Sequence, residues 1–247
     1  MPASTGCIML HHAASKKDTG GRGMFADRQE AGQRLAARLR PLAPAGTVVV
    51  ALPRGGVPVA EVIATALGLP MDIVQVRKVG LPGQPELAVA AVTDGDAPAY
   101  AINRDVMRAA GLTAAAIRTL AARELDEIAR RRALWAPGHS PVAVAGRTVL
   151  VVDDGIATGA TMRAALDSLR AAGAARLIAA VPVAAQDALD RLSGAADQVV
   201  CLEVPHPFVA VGAHYRDFAQ VSDAEVAAAL ARQAVAAAAR PAPPADP

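Results

Sequence analysis

The chain has 247 residues, 53% of them hydrophobic and 19% charged, which excludes a wholly disordered chain. Its 25 basic and 23 acidic residues leave a net charge of only +2, which argues against broad electrostatic binding to nucleic acid or to an anionic membrane. No apolar run reaches the roughly 18–20 residues of a membrane span, no basic-then-apolar leader opens the chain, and Cys7 and Cys201 are too few for a disulfide or zinc framework.

A cytoplasmic protein with free thiols is therefore expected. Residues 1–23 hold His11, His12, Lys16, Lys17 and four glycines without any period, and read as disordered. Met24 opens the folded part and is a candidate start. Asp27 is placed to cap a helix with Ala31, Leu35 and Leu39 on its apolar face, ending before Pro41. Thr47–Leu52 is a β-branched run that predicts a buried strand, broken by Pro53-Arg54-Gly55-Gly56. A helix follows over Val57–Leu67, stopped by Gly68-Leu69-Pro70. Met71–Arg77 reads as a second strand, Gly80–Pro85 as a loop, and Leu87–Val92 as a third strand. Thr113 caps a long helix to about Ala133, with Arg123–Glu127, Asp126–Arg130 and Glu127–Arg131 at pairing distance.

Thr148–Val152 is the cleanest strand. It runs into Asp153-Asp154-Gly155-Ile156-Ala157-Thr158-Gly159-Ala160-Thr161 and a helix to about Ala172. Arg176–Val183 is a further strand, Gln186–Leu192 a short helix and Gln198–Leu202 the last strand. Strands alternating with helices imply a mostly parallel sheet flanked by helices. From about Arg240 the chain is rich in Pro and Ala and reads as a loose tail.

The segment after Val152 carries the chemistry. Open α/β sheets bind ligands at the carboxyl ends of their strands. Neighbouring side chains on a strand point to opposite faces, so Asp153 and Asp154 act as a pair only if the chain turns, which Gly155 permits. The small, hydroxylated run from Ala157 to Thr161 opens a helix, where free N–H groups and the positive helix end favour an anion. A ligand with hydroxyls on one side and a phosphate on the other satisfies both halves. No GxxxxGK[ST] or GxGxxG is present, so neither a P-loop nor a dinucleotide fingerprint competes.

Val149 to Thr161 resembles the signature of type I phosphoribosyltransferases, which bind phosphoribosyl pyrophosphate (PRPP). The resemblance extends over roughly residues 24–226 and is nearest to a bacterial "predicted phosphoribosyltransferase" group. It implies an α/β fold with a mostly parallel central sheet, a helical insertion at about 103–135 and a small hood at about 203–220. Residues 227–247 would be the end of a C-terminal helix and the tail. It assigns Asp153 and Asp154 to the ribose hydroxyls, and Ala157, Thr158, Gly159, Ala160 and Thr161 to the 5′-phosphate.

Arg54, Gly55 and Gly56 resemble the family's pyrophosphate loop, which often holds a non-proline cis peptide; Pro53–Arg54 is the expected place. Arg77-Lys78 before Gly80-Leu81-Pro82-Gly83 resembles the mobile catalytic loop of adenine phosphoribosyltransferases. Lys78 is the one lysine after residue 17, in a chain that otherwise uses Arg, which suggests a need for a compact ammonium. Glu86 and Asp94 are candidate acid/base carboxylates, with surface charge as the competing reading. Phe208 is the candidate acceptor-stacking ring, with core packing as the competing reading.

The resemblance also implies glycosyl transfer through an oxocarbenium-like state, with Mg²⁺ bound mainly through PRPP and no protein metal site. The loop 79–86 would close over the reaction, and a homodimer is implied. The acceptor would be a small nitrogen base. Ala157 stands where 6-oxopurine enzymes carry an Asp, which weakens hypoxanthine or guanine as acceptor. A PRPP-sensing regulator without turnover and a transferase with a non-nucleobase acceptor remain as other readings.

Overall fold

The computed structural model describes residues 8–11, 24–94, 99–137 and 141–238. Cys7, most of residues 1–23 and the tail from Arg240 lie outside them. The expectation of a disordered start is corrected at four positions: Ile8–His11 form an edge strand, β1. It pairs with the last strand, β9 (Gln198–Glu203), Ile8 opposite Gln198 to His11 opposite Cys201, so its partner comes from the far end of the sequence.

Asp27 caps α1 (Arg28–Leu39) as the sequence predicts, accepting from the Gln29 and Glu30 amides. β2 (Val48–Ala51) is buried throughout. α2 (Gly56–Leu67) ends on a left-handed Gly68. β3 (Met71–Ile73) follows, and the chain then leaves for a second, smaller sheet. The remaining elements of the main layer are β7 (Thr148–Val152), α5 (Ala160–Ala171), β8 (Arg176–Val183), α6 (Gln186–Asp190), β9 and α7 (Asp223–Ala238).

The main sheet is parallel, in the order β1-β9-β8-β7-β2-β3. Alternation of side chains divides its core. Val49, Ala51, Leu150 and Val152 pack with Leu35, Ile63 and Leu230 of α1, α2 and α7. Val48, Val50, Val149 and Val151 pack with Met162, Leu166 and Leu189 of α5 and α6. Strands buried on both faces read as continuous apolar runs, which is why β2, β7 and β8 are legible in the sequence.

The expected single strand Met71–Arg77 is two. β3 stays in the main sheet, while β4 (Val76–Leu81) pairs antiparallel with β5 (Gln84–Thr93), and β5 with β6 (Ala99–Ile102). The break is pinned by polar contacts. The Gln75 amide donates to Asp94, its side-chain amide to the Ile128 carbonyl, and Arg132 holds Asp72. The expected loop Gly80–Pro85 is mostly strand. Leu81 pairs with Gln84, and the turn is confined to Pro82-Gly83, with Gly83 at φ 79°. Proline fixes the first corner of such a turn and glycine supplies the positive φ of the second.

α4 (Ala114–Trp135, capped by Thr113) covers the small sheet through Ile117, Ala121 and Ile128, and α3 (Arg104–Ala109) adds Val106 and Met107. Glu127 pairs with Arg130 and Arg131; the pairs Arg123–Glu127 and Asp126–Arg130 do not form among the described contacts. No helix among the described residues is long and apolar enough to cross a membrane.

Chain order and strand order reverse between β2 and β7. β3 follows β2 on one side, and the chain then returns to place β7 on the other. Such a switch point opens a crevice beyond the carboxyl ends of two neighbouring strands. It puts Pro53–Gly56 beside Asp153–Thr161.

Candidate active site

The turn after β2 is tight. The Leu52 amide donates to the Val152 carbonyl, and the Gly56 and Val57 amides donate back to Leu52 and Arg54. The Pro53–Arg54 peptide is cis. A Cβ on Gly55 would overlap Oδ2 of Asp154, and one on Gly56 would lie 2.6 Å from the Val152 carbonyl oxygen. Both glycines are required by space, because this turn rests against the acidic pair. Gly55→Ala is expected to displace the Asp154 carboxylate and weaken ligand binding at least about tenfold, at a stability cost of about 1–3 kcal/mol. Calorimetric titration with PRPP and a melting curve check both.

The turn expected after β7 is present. The Asp154 amide donates to Oδ1 of Asp153, and the Ile156 amide to the Val183 carbonyl. Gly155 serves a different end from the one expected. Its φ is not positive, and a Cβ there would lie 2.5 Å from Val211 of the hood. Burial pushes the Asp153 carboxyl well above the ordinary carboxylate range, and the Asp154 charge adds to the rise. Burial also raises Asp154, and Arg28 pulls it back.

Downstream, the amides from Ala157 to Met162 have no hydrogen-bond acceptor among the described residues. Gly159, at φ 80°, precedes the first residue of α5. The side chains of Ala157, Thr158, Ala160 and Thr161 are exposed. α6 supports the loop from behind: a Cβ on Gly159 would lie 3.0 Å from the Ala188 carbonyl oxygen, and Arg191 donates to the Thr158 carbonyl. Unpaired amides at a positive helix end form an anion cradle.

The hood spans the aromatic segment. Tyr215 donates its hydroxyl to the Asp154 carbonyl at 2.6 Å and packs on Phe25 and Phe218. Phe208, half-buried, stacks on His214 with ring centroids 5.7 Å apart. A cavity of about 320 Å³ is lined by Arg28, Arg54, Gly55, Asp154, Phe218, Gln220 and Val221.

The structure thus brings together Arg54, Gly55, Gly56, Asp153, Asp154 and the run from Ala157 to Thr161. Four other candidates hydrogen-bond to none of these groups. Arg77 pairs with Glu124 of α4 at 2.8 Å. Lys78 and Glu86 are exposed on the β4–β5 hairpin. Asp94 accepts from the Gln75 amide and from Arg132, in a buried cluster with Asp72. That cluster lines a separate cavity of about 430 Å³ with Tyr100 and Ser168, which shares no lining residue with the crevice.

Arg28 is not legible in the sequence as a site residue. Its Nε and Nη2 reach Oδ2 of Asp154 at 2.9 and 2.8 Å. One signal points to it: a cation in the first turn of a helix opposes the helix dipole and needs a compensating anion.

Residues 29–217 match the family model of the phosphoribosyl transferase domain. The chain is 46% identical over 209 residues to the curated proteins "Putative phosphoribosyl transferase MT0597" and "Putative phosphoribosyl transferase Rv0571c", from the CDC 1551 / Oshkosh and H37Rv strains of Mycobacterium tuberculosis. Those matches cover 85% of this chain but 47% of each relative, so the chain spans about half their length. The crystal structure of TT1426 from Thermus thermophilus is similar, at 42% identity and a TM-score of 0.75, covering 85% of this chain and 99% of that one. The fold, the acidic pair with its amide cradle, and this match agree: the chain belongs to the phosphoribosyl transferase domain family.

Proposed function

We propose that this protein transfers the 5-phosphoribosyl group of PRPP to a nucleobase-like nitrogen acceptor and releases pyrophosphate, working as a homodimer in the cytoplasm. The observation that carries this reading is the meeting, at one switch point, of an acidic pair, a run of unpaired amides and a glycine turn bearing Arg54. Asp153 and Asp154 bind the ribose hydroxyls. The amides from Ala157 onward hold the 5′-phosphate. Arg54 takes up the negative charge that grows on the leaving pyrophosphate, in a low-dielectric crevice where such charge stabilisation is strongest. The hood aromatics cover the acceptor side and keep water from the ribosyl cation.

The residues present fit a PRPP-borne Mg²⁺. Arg54 lines the crevice beside Asp154, where a diphosphate carrying the ion would be received. Mg²⁺ usually keeps several waters and sits on substrate phosphates. PRPP would carry it into the crevice on its own diphosphate, and it would supply neutralisation of the diphosphate charge.

Lys78 enters this reading through the hairpin, across a dimer. Lys78→Ala is expected to lower turnover about tenfold or more while PRPP affinity changes less than about threefold. Equal turnover in variant and parent makes Lys78 a bystander.

A second reading, a PRPP sensor without turnover, is favoured by one observation: Arg77 is tied to Glu124, and Lys78 is exposed and does not line the crevice cavity. Pyrophosphate release from PRPP and Mg²⁺ across purine, pyrimidine and pyridine bases separates the two. Release with one base supports the transferase and names the acceptor. Tight PRPP binding with no release from any base supports the sensor.

A further inference from the structure

We propose that Arg28 is the positioning residue of the acidic pair: its guanidinium clamps Oδ2 of Asp154 and fixes the orientation in which that carboxylate meets the ligand. The clamp stands on geometry alone; only the identity of the ligand rests on the PRPP reading above.

The guanidinium is held on three sides. Nε donates to Oδ2 of Asp154 at 2.9 Å, and Nη2 makes an ion-pair contact with the same oxygen at 2.8 Å. Nη1 donates to the Ala219 carbonyl at 2.8 Å. The face lies over the Phe218 ring, 3.9 Å from its centroid. The two side chains are 11% and 13% exposed. A guanidinium held by an acceptor, a carbonyl and a ring has one orientation, and it transmits that orientation to the carboxylate. Asp27 fixes the first turn of α1, from which Arg28 projects.

The charged and titratable groups around this carboxylate come from every element packed against it. Asp153 stands on the same loop, Arg54 lines the same cavity from the β2–α2 turn, and the Tyr215 hydroxyl sits on the Asp154 carbonyl. From α7 and its entry, Glu225 faces Arg28 and Asp223 faces Arg54. Among the described residues Arg28 is the one side-chain cation that hydrogen-bonds the Asp154 carboxylate. Burial raises the proton affinity of that carboxylate, and Arg28 opposes it.

The test is a carboxyl ¹³C NMR titration of Asp154 in the full chain without ligand, in the parent and in Arg28→Met, with Asp154→Asn to assign the resonance. Calorimetric titrations with PRPP and Mg²⁺ at pH 6 and pH 8 accompany it. The Asp154 midpoint is expected to rise by about one pH unit or more in Arg28→Met. PRPP affinity in that variant is expected to be lower at pH 6 than at pH 8, while the parent stays nearly level. Arg28→Gln carries the same expectation and replaces the Met variant if that chain does not fold. An unmoved midpoint, with any loss of affinity equal at both pH values, overturns the clamp and leaves Arg28 a packing residue. A parent that binds no PRPP at either pH overturns the PRPP reading, and the midpoint still decides the clamp.

Discussion

The double variant Asp153→Asn, Asp154→Asn is expected to lose PRPP binding while keeping its fold. Hydrogen bonds to a charged group contribute about 1.5–3 kcal/mol each, so losing two weakens binding by about 10²- to 10⁴-fold. The stability side has a definite sign. Both carboxyls are raised by burial in the folded chain. A carboxyl raised on folding costs stability as pH climbs from its unfolded value, about 3.9, through its folded one. The Asn pair removes that cost, while Arg28 loses an ionic partner. The melting temperature of the variant at pH 7 is therefore expected within a few degrees of the parent, and the parent's decline from acid to neutral pH is expected to flatten. Unchanged PRPP affinity contradicts the ribose assignment. A large drop in melting temperature shows that the pair is structural.

Arg132→Met is expected to be the most destabilising single change, with no contact to the crevice. Arg132 donates to both oxygens of Asp72 at 2.9 Å and to Asp94 at 2.7 Å, with side chains 15%, 6% and 8% exposed. Removing the cation leaves two buried carboxylates facing each other. Breaking such a cluster costs about 3–5 kcal/mol, or about 6–20 °C in melting temperature at this chain size. Asp94 is already raised by burial, with Arg132 opposing the rise. Without Arg132 it rises further, so the loss is expected to grow from pH 5 to pH 8 and to shrink toward acid. Restoring neutrality with Asp72→Asn and Asp94→Asn in the Arg132→Met background is expected to recover part of it. A melting temperature within about 2 °C of the parent contradicts the pinning of the chain between β3 and β4 by this cluster.

The crevice is legible in sequence where its parts are local. Thr148–Val152 and the nine residues after it hold a buried strand, an acidic pair and a helix start in one stretch, each with its own local signal. Pro53–Gly56 is legible for the same reason. The partners of these segments are not. Arg28 meets Asp154 across 126 positions, and Tyr215 reaches it across 61. A first-turn arginine signals the need for an anion without saying which one, and nothing local says that Tyr215 will reach the Asp154 main-chain carbonyl. Asp94 shows the converse. A carboxylate after an apolar strand has the look of a catalytic group, yet here it anchors Arg132, because the chain folds α4 back over β3.

The small sheet is hidden from the sequence for a related reason. Gly80, Pro82, Gly83 and Pro85 suggest a loop when counted as composition. The paired register confines the turn to two of those residues and leaves Gly80 where a Cβ would overlap the Pro85 carbonyl oxygen. Glycine and proline can mark close approach within a hairpin as well as its end.

The most direct measurement is a calorimetric titration of the intact chain with PRPP in the presence of Mg²⁺. Saturable binding of one PRPP per chain is expected, lost in the Asp153→Asn, Asp154→Asn variant and retained in a Glu86→Gln variant. Absence of binding to the parent at millimolar PRPP, or equal binding to the parent and the double Asn variant, contradicts the assignment of this crevice to PRPP.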